Sequence, residues 1–353
     1  MTVHVELLCS GSSEHLSQVF TGFAMLRAQG ECTVEVKRWS TYEGGLGGAE
    51  DTSLLRIVSG GRQIVYDVLD GATLVPEALD WADVYVKRSY SPVEHGADPK
   101  VRPFGLNFPA YGPRDWRTRR LVWSVLGLRR DNAANIANHA RRLNRWAAWA
   151  TRAKNGCRAS DLAGIEHGPE ADRPPKVMFC TRLWDPARVS GTKRDEWTEM
   201  NRLRIECLRN LRTALGPGLV GGLAPTPLAV ERHPDLVLDE DTMLKTRYLG
   251  RMHRTAIGVA TAGLRGSNGW SLGEYLAASR AIVTERLRYE IGHPFAPGAN
   301  HLPFDTAEGC VDQAVALVED PDRTWAMMRA NQELYRLAAR PDRLIGRSLG
   351  LWD

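Results

Sequence analysis

One stretch of the sequence, from Thr246 to Glu285, has the pattern of a complete strand, loop, helix and strand. The apolar run from Ile257 to Thr261 is long enough for a buried strand, and a turn rich in glycine and serine follows from Gly263 to Gly269. Apolar residues then recur at helical spacing between Trp270 and Ser279, and a second buried run begins at Ala281. This alternation predicts an α/β domain with a parallel sheet.

The loop of this unit is a candidate anion site. In open α/β sheets such a loop lies at the carboxyl end of its strand, where ligands bind. The helix that follows offers unpaired N–H groups and the positive end of its dipole, which suit a diphosphate. We expect Gly266 and Ser267 to bring backbone N–H groups to the phosphates. Glu274, which the pattern places on the first helical turn, either accepts hydrogen bonds from ribose hydroxyls or merely complements the helix dipole.

The run IGVATAGLRGSNGWSLGEYLA, from Ile257 to Ala277, resembles the donor-binding loop and helix of GT-B glycosyltransferases of the bacterial group-1 type. Residues 294–304 and 327–335 resemble the closing segment of the same family. Many retaining members carry two glutamates separated by seven residues; Glu274 matches the second, and Gly266 stands in place of the first. The resemblance implies two Rossmann-like, doubly wound α/β domains that face a cleft, with a nucleoside-diphosphate sugar as the donor.

Length and composition agree with two soluble domains. The chain has 353 residues, of which 43% are hydrophobic and 25% are charged, as in ordinary globular proteins. We predict an acceptor-binding domain at 1–153, a linker at 154–175 and a nucleotide-sugar-binding domain at 176–340. Residues 341–353 are expected to form a helix that crosses back to the first domain.

Other protein classes are disfavoured by the sequence. No apolar stretch is long enough to span a bilayer, and the amino terminus lacks the pattern of a signal peptide, so we expect a cytoplasmic protein. The formal net charge of +4 does not demand a nucleic-acid partner. The cysteines lack the paired spacing of a zinc site or a disulfide framework; they are Cys9, Cys32, Cys157, Cys180, Cys207 and Cys310.

The amino-terminal half begins with a strand and a helix whose junction carries two candidate catalytic residues. Val3 to Cys9 predicts a first strand, and a helix is predicted from about Glu14 to Gln29. His15, at the ligand edge of the sheet, is a candidate general base because its ordinary pKa lies near neutrality. It could equally be a cap or a surface residue. Glu14 is the competing base, although acidic residues are common at helix starts.

Further strands are predicted at Leu54 to Val58 and at Gln63 to Leu69, and the alternation with helices favours a parallel sheet with helices on both faces. Lys87 and Arg88 end a later apolar run, where they either meet a substrate phosphate or lie at a solvated strand end. In the family that the chain resembles, the segment around Asn107 closes the first domain. We therefore expect Asn107 at the domain boundary.

The connector from Arg114 to Arg145 contains nine arginines with interleaved tryptophan and leucine. Three interpretations stay open for it. It is a solvated face of helices at the domain junction, a membrane-surface attachment, or a nucleic-acid site, although no recognised nucleic-acid-binding motif accompanies the charge.

The second domain is predicted to open with the strand from Lys176 to Cys180, followed by Arg182. Group-1 enzymes place an arginine at the matching position on the donor diphosphate, and the forked guanidinium suits two phosphate oxygens. Lys193 is a second candidate cation, whereas Asn201 and Arg204 point either at the site or at water. The residues expected to bind the donor are Arg182, Lys193, Gly266, Ser267, Trp270 and Glu274.

Together these observations predict a glycosyltransferase that moves a hexosyl group from a UDP- or GDP-sugar to an acceptor nucleophile. The acceptor would be a saccharide, a lipid-linked sugar or a small molecule in cell-surface polysaccharide or natural-product biosynthesis. No metal and no other cofactor is expected, because no Asp-x-Asp pair falls at a strand end. Two rivals stay open. A nucleotide-sugar epimerase would need cleft carboxylates, which the first domain supplies as Glu14, Asp67 and Asp70; a silent sugar-nucleotide-binding partner would need no catalytic group.

Overall fold

The computed structural model describes residues 2–9, 14–38, 53–112, 161–172 and 174–352. These residues form two α/β units, each built around one sheet. The arginine-rich connector 114–145, with its expected membrane contact, lies outside the described residues, as does the 154–160 part of the expected linker. The domain bounds given above stay predictions.

The first unit contains a six-stranded sheet in the order β2-β1-β3-β4-β5-β6. Its strands are β1 Val3–Cys9, β2 Cys32–Arg38, β3 Leu54–Ser59, β4 Arg62–Asp67, β5 Val84–Lys87 and β6 Val101–Pro103. Its helices are α1 Ser17–Ala28, α2 Pro76–Trp81 and α3 Pro92–His95.

One strand of this sheet runs against the expected direction. β3 pairs antiparallel with both β1 and β4, whereas the other pairs are parallel. The cause is a tight hairpin between β3 and β4, in which Gly60 and Gly61 have φ values of 56° and 80°. A two-residue turn with positive φ at both positions matches the twist of a hairpin, and glycine adopts it without steric cost. The expectation of a wholly parallel first sheet is therefore wrong for β3.

The second unit contains a five-stranded parallel sheet in the order β11-β10-β9-β7-β8. Its strands are β7 Val177–Thr181, β8 Leu219–Leu223, β9 Ile257–Ala260, β10 Ala281–Glu285 and β11 Leu302–Phe304. Its helices are α4 Leu162–Ile165, α5 Thr192–Leu215, α6 Pro227–Arg232, α7 Lys245–His253, α8 Trp270–Ala277, α9 Ala307–Glu319 and α10 Pro321–Leu334, followed by a π-helical turn Tyr335–Ala339 and α11 Pro341–Leu349.

The strands of the second sheet are buried on both faces, as the continuous apolar runs predict. On β7, Val177 and Phe179 belong to a core cluster with residues of α5 and α9. Met178, between them, belongs to another cluster with residues of α7 and α8. Side chains alternate across a strand, so helices cover both faces. The predicted fold class, two Rossmann-like α/β units, is confirmed.

Two contacts join the units. Phe108, on the segment after β6, packs against α8, where a Cβ added to Gly273 would lie 2.6 Å from the Phe108 ring. The last helix, α11, packs on α1 of the first unit: Gln29 donates a hydrogen bond to Asp342 over 2.9 Å. Among the described residues, no helix combines the length and apolar character needed to cross a bilayer.

A buried ion pair holds β4 and β5 together. Lys87 Nζ lies 2.9 Å from Asp67 Oδ2, and both side chains are fully buried. The hydroxyl of Tyr85 donates to the same carboxylate oxygen over 2.5 Å. Burial first, and then the Asp67 carboxylate, raise the pKa of that hydroxyl, so it stays protonated. Lys87 therefore neither meets a phosphate nor lies at a solvated strand end, and both expectations for it are wrong.

We expect Lys87→Met to lower the free energy of unfolding by about 3–5 kcal/mol, because it leaves the Asp67 charge buried without its partner. Urea denaturation followed by tryptophan fluorescence measures the change. Lys100→Met is the matched control, since the Lys100 side chain is exposed. Equal stability of the two variants would contradict the structural role of the pair.

Candidate active site between the two units

The strand order of the second sheet defines a ligand crevice. Counted within the unit, the order is 2-1-3-4-5, so the connections run in opposite directions from β7 and β9. Doubly wound sheets bind ligands at the carboxyl ends of the two strands where the order reverses. Arg182 follows β7, and Thr261 and Ala262 follow β9. The candidate crevice therefore lies at these residues.

A buried arginine ties the two sides of this crevice together. The Arg204 guanidinium donates to the carbonyl oxygens of Arg182 and Ala262, each over 2.7 Å, and to Thr261 Oγ1 over 3.1 Å. Burial is the main cause that lowers the pKa of Arg204 to about 10, so it stays charged at neutral pH. Of the two expectations for Arg204, the one that points it at the site holds, and it acts there by fixing the backbone.

The two cations expected on the diphosphate are both accessible. Arg182 is exposed, and its guanidinium lies 5.5 Å from the centre of the Trp184 ring. Asn201 holds this loop by accepting from Trp184 N over 3.0 Å and donating to Trp184 O over 2.6 Å. Lys193 is exposed in the first turn of α5. Their binding to a donor stays a prediction.

The glycine-rich turn uses the N–H groups that we expected to bind phosphate. Gly266 N donates to Gly263 O over 3.2 Å, and Ser267 N donates to Leu264 O over 3.1 Å. Both groups would have to leave the turn to reach a ligand. The start of α8 at Trp270 differs, because its N-cap residue, Gly269, supplies no side chain to the helix end. The helix start is thus the better anion site of the two.

Glu274 is the fifth residue of α8, so it lies on the second helical turn and not on the first. It is buried, and Lys245 Nζ donates to its carboxylate. Burial, and then the neighbouring Tyr275 and Glu274, raise the pKa of the nearby Tyr248 hydroxyl. Its carboxylate is therefore already neutralised by Lys245, and any contact with a ribose must be made beside that ion pair.

The carboxyl edges of the two sheets face each other through a cluster around His15. His15 follows β1, and its ring lies 4.9 Å from the ring of Trp270 at the start of α8, in an edge-to-face arrangement. Arg88, after β5, places Nη1 2.9 Å from Asp70 Oδ1 and 3.5 Å from His15 Nδ1. Its Nη2 donates to Asn268 O of the second unit over 3.0 Å.

His15 is neutral in this environment. Burial first, and then the Arg88 charge, lower the pKa of the imidazole, and Asp70 acts in the opposite direction. Asn107 fixes the backbone of His15, because its Nδ2 donates to His15 O over 2.9 Å and to Gln18 Oε1 over 3.2 Å. A neutral imidazole can accept or donate one hydrogen bond to a substrate.

Sequence reasoning found some of these residues and missed others. It selected His15 and Trp270 separately, and the structure brings them together. Arg88 was considered only as a phosphate ligand, whereas it is buried between the units. Asp70 was considered only for the rival epimerase. Asn268 was missed, because its contribution is a backbone carbonyl that any residue would supply. The side chain of Glu14 and the loop 10–13 lie outside the described residues.

A separate hollow of about 570 Å³ lies on the α5 and α9 side of the same sheet edge. Gly266 lines it, but Arg182 and Ser267 do not. Its charged lining is mostly acidic and consists of Glu196, Glu199, Arg202, Glu206, Glu285, Asp305 and Glu308. Such a lining repels a diphosphate, so this hollow is not the donor site that we expect.

No protein-family model matches the chain, and no curated protein does. Among solved structures, HepE from Anabaena in complex with UDP is 12% identical, with full coverage of both chains and a TM-score of 0.41. The carboxyl-terminal domain of a group-1 glycosyl transferase, LpcC from Francisella tularensis, is 12% identical over 50% of this chain and 97% of that one, with a TM-score of 0.32.

A protein assigned as a UDP-N-acetylglucosamine 2-epimerase from Listeria monocytogenes is 9% identical over 99% of this chain and 95% of that one, with a TM-score of 0.42. All three scores lie below 0.5. The fold therefore rests on the strand order described above, and the function rests on the site.

We expect Arg204→Met to destabilise the protein by several kcal/mol, because each buried carbonyl left without a donor costs about 1–3 kcal/mol. Arg202→Met is the matched control two residues away on α5, where Arg202 is exposed and pairs with Glu199 and Glu206 on the surface. Exposed ion pairs contribute little. Thermal unfolding compares the variants, and a similar Tm for both would refute the role of Arg204.

Proposed function

We propose that this protein is a glycosyltransferase that uses a nucleoside-diphosphate sugar, with UDP- and GDP-sugars as the expected donors. The observation that carries the proposal is the contact between His15 and Trp270. It brings a neutral imidazole from the first unit to the uncapped start of α8 in the second. A transferase needs these two features together, a group that handles an acceptor or a sugar and a site that takes the departing diphosphate.

The proposed reaction is attack of an acceptor nucleophile on the anomeric carbon of the donor sugar. A bond forms between the nucleophile and this carbon, and the bond from the carbon to the diphosphate oxygen breaks. The helix start at Trp270 and the accessible cations Arg182 and Lys193 would stabilise the charge that develops on the diphosphate. Preorganised electrostatic groups of this kind usually supply the largest part of catalysis.

The rival epimerase has weaker support from the geometry. It needs free carboxylates in the cleft, but Asp67 is fully buried against Lys87. Asp70 is held by Arg88 over 2.9 Å. A catalytically silent sugar-nucleotide-binding protein is the other rival. It would bind nucleotide through the same helix start, and turnover distinguishes it from the transferase.

We expect UDP or GDP to raise the Tm, and the matching nucleotide sugar to release nucleoside diphosphate when an acceptor is present. A ligand at 100 times its Kd stabilises by about 2.7 kcal/mol, which thermal-shift measurements detect. A panel of UDP, GDP, dTDP and CMP, followed by their sugars with saccharide acceptors, measures both effects.

Arg182→Ala should weaken nucleotide binding, and Arg188→Ala, an exposed arginine nearby, is its control. Conversion of the nucleotide sugar without an acceptor would favour the epimerase. Binding without release of nucleoside diphosphate from any donor would favour the silent partner.

A further inference from the structure

We infer that His15 serves the proposed transferase as a hydrogen-bond donor through Nε2–H, and that it is not the base that removes the acceptor proton. The inference rests on the proposed function for its substrate, and on the surroundings of the imidazole for its chemistry. It assigns a definite role where the sequence left a choice between general base and substrate contact.

The proton position follows from the group that faces Nδ1. Arg88 Nη1 lies 3.5 Å from His15 Nδ1. A guanidinium has five N–H donors and no acceptor, so the nitrogen that faces it must offer a lone pair. A neutral imidazole carries one N–H and one lone pair. With the lone pair on Nδ1, the proton lies on Nε2.

Arg88 is held in this position from several sides. It is buried, and the same Nη1 lies 2.9 Å from Asp70 Oδ1 and 3.5 Å from Val68 O. Its Nη2 donates to Asn268 O across the boundary between the units. The guanidinium therefore cannot turn away from His15 without breaking contacts in both units. Its positive charge also opposes protonation of Nδ1, and burial of the imidazole lowers its pKa in the same direction.

Nε2 is the nitrogen left for a substrate. Among the residues that the structure describes, no hydrogen bond engages it, whereas Nδ1 faces Arg88 and the His15 carbonyl accepts from Asn107. The ring lies against Trp270, the first residue of the helix proposed to receive the diphosphate. The oxygen that meets Nε2–H is thus one of the sugar diphosphate, where negative charge develops as the bond to the anomeric carbon breaks.

In this role the imidazole keeps its proton. The acceptor oxygen bonds to the anomeric carbon, the electron pair of the broken bond goes to the diphosphate oxygen, and the acceptor proton goes to water. Nε2–H donates to the diphosphate throughout. The groups that face His15 from the neighbouring elements are Arg88, Asp70, Asn107 and Trp270, and none of them needs to change its charge.

Two amide substitutions separate the donor role from the base role. In His15→Gln the amide nitrogen reaches the place of Nε2, whereas in His15→Asn it reaches only the place of Nδ1. If Nε2–H is the essential group, His15→Asn lowers kcat by about 100-fold, the usual cost of one lost donor to a developing charge. His15→Gln then keeps its rate within about 10-fold of the wild type.

A base role gives the opposite pattern, because neither amide accepts a proton and both variants lose about 100-fold or more. His4→Gln, an exposed histidine on β1, controls for the substitution itself. The pH profile adds a second readout. A base shows an acid limb in kcat/KM that disappears in His15→Gln, whereas a donor gives the same profile in both proteins.

Long-range ¹H–¹⁵N spectra of the imidazole report its tautomer without turnover. The Nε2–H tautomer supports the inference, and the Nδ1–H tautomer or equal losses in both amide variants would overturn it. If the wild type releases no nucleoside diphosphate from any donor, the proposed function fails on its own. UDP affinity then decides the donor role, which requires weaker binding by His15→Asn and unchanged binding by His15→Gln.

Discussion

The buried guanidinium of Arg88 is the interaction on which the arrangement of the candidate site depends. It contacts Asp70 and His15 in the first unit and the carbonyl of Asn268 in the second. An arginine suits this place because its planar fork donates in several fixed directions and keeps its charge. A buried charge needs partners on every side, so removing one of them costs much more than an exposed pair contributes. Arg88 thereby fixes both the distance between the units and the orientation of the imidazole.

The same device recurs within the second unit. Arg204 ties the ends of β7 and β9 through the carbonyls of Arg182 and Ala262. Arg280, fully buried, donates to the carbonyls of Ala278, Thr255 and Gly168. In each case a charged donor satisfies backbone acceptors where regular secondary structure ends and the usual partners run out. Loops at a sheet edge are held in this way without a larger apolar core.

These constraints give the two sides of the second sheet edge opposite electrostatic characters. The side towards the first unit has exposed Arg182 and the uncapped start of α8. The side towards α5 and α9 has the acidic hollow. A diphosphate is attracted to the first and repelled by the second, so its expected place is beside His15. The neutral state of His15 follows from the same economy of charge, because a second cation next to Arg88 in a buried position is unfavourable.

The sequence by itself determined the elements whose signal is local. Its buried runs and glycine-rich turn gave β9, α8 and β10 within three residues of their observed ends, since apolar periodicity and turn residues act over short distances. It also marked His15 and Arg182, because residues after strands fall at the ligand edge. The antiparallel direction of β3 was readable from Gly60 and Gly61, and the pattern was not used.

Only the tertiary structure decided which charges are buried and what they meet. Lys87, Arg88 and Glu274 look like exposed charges in the sequence, and each is buried against a partner distant along the chain. Whether a charged side chain is solvated or paired depends on packing between elements, which residue spacing does not encode. The pairing of His15 with Trp270, and the tautomer that Arg88 imposes, exist only because the two units close on each other.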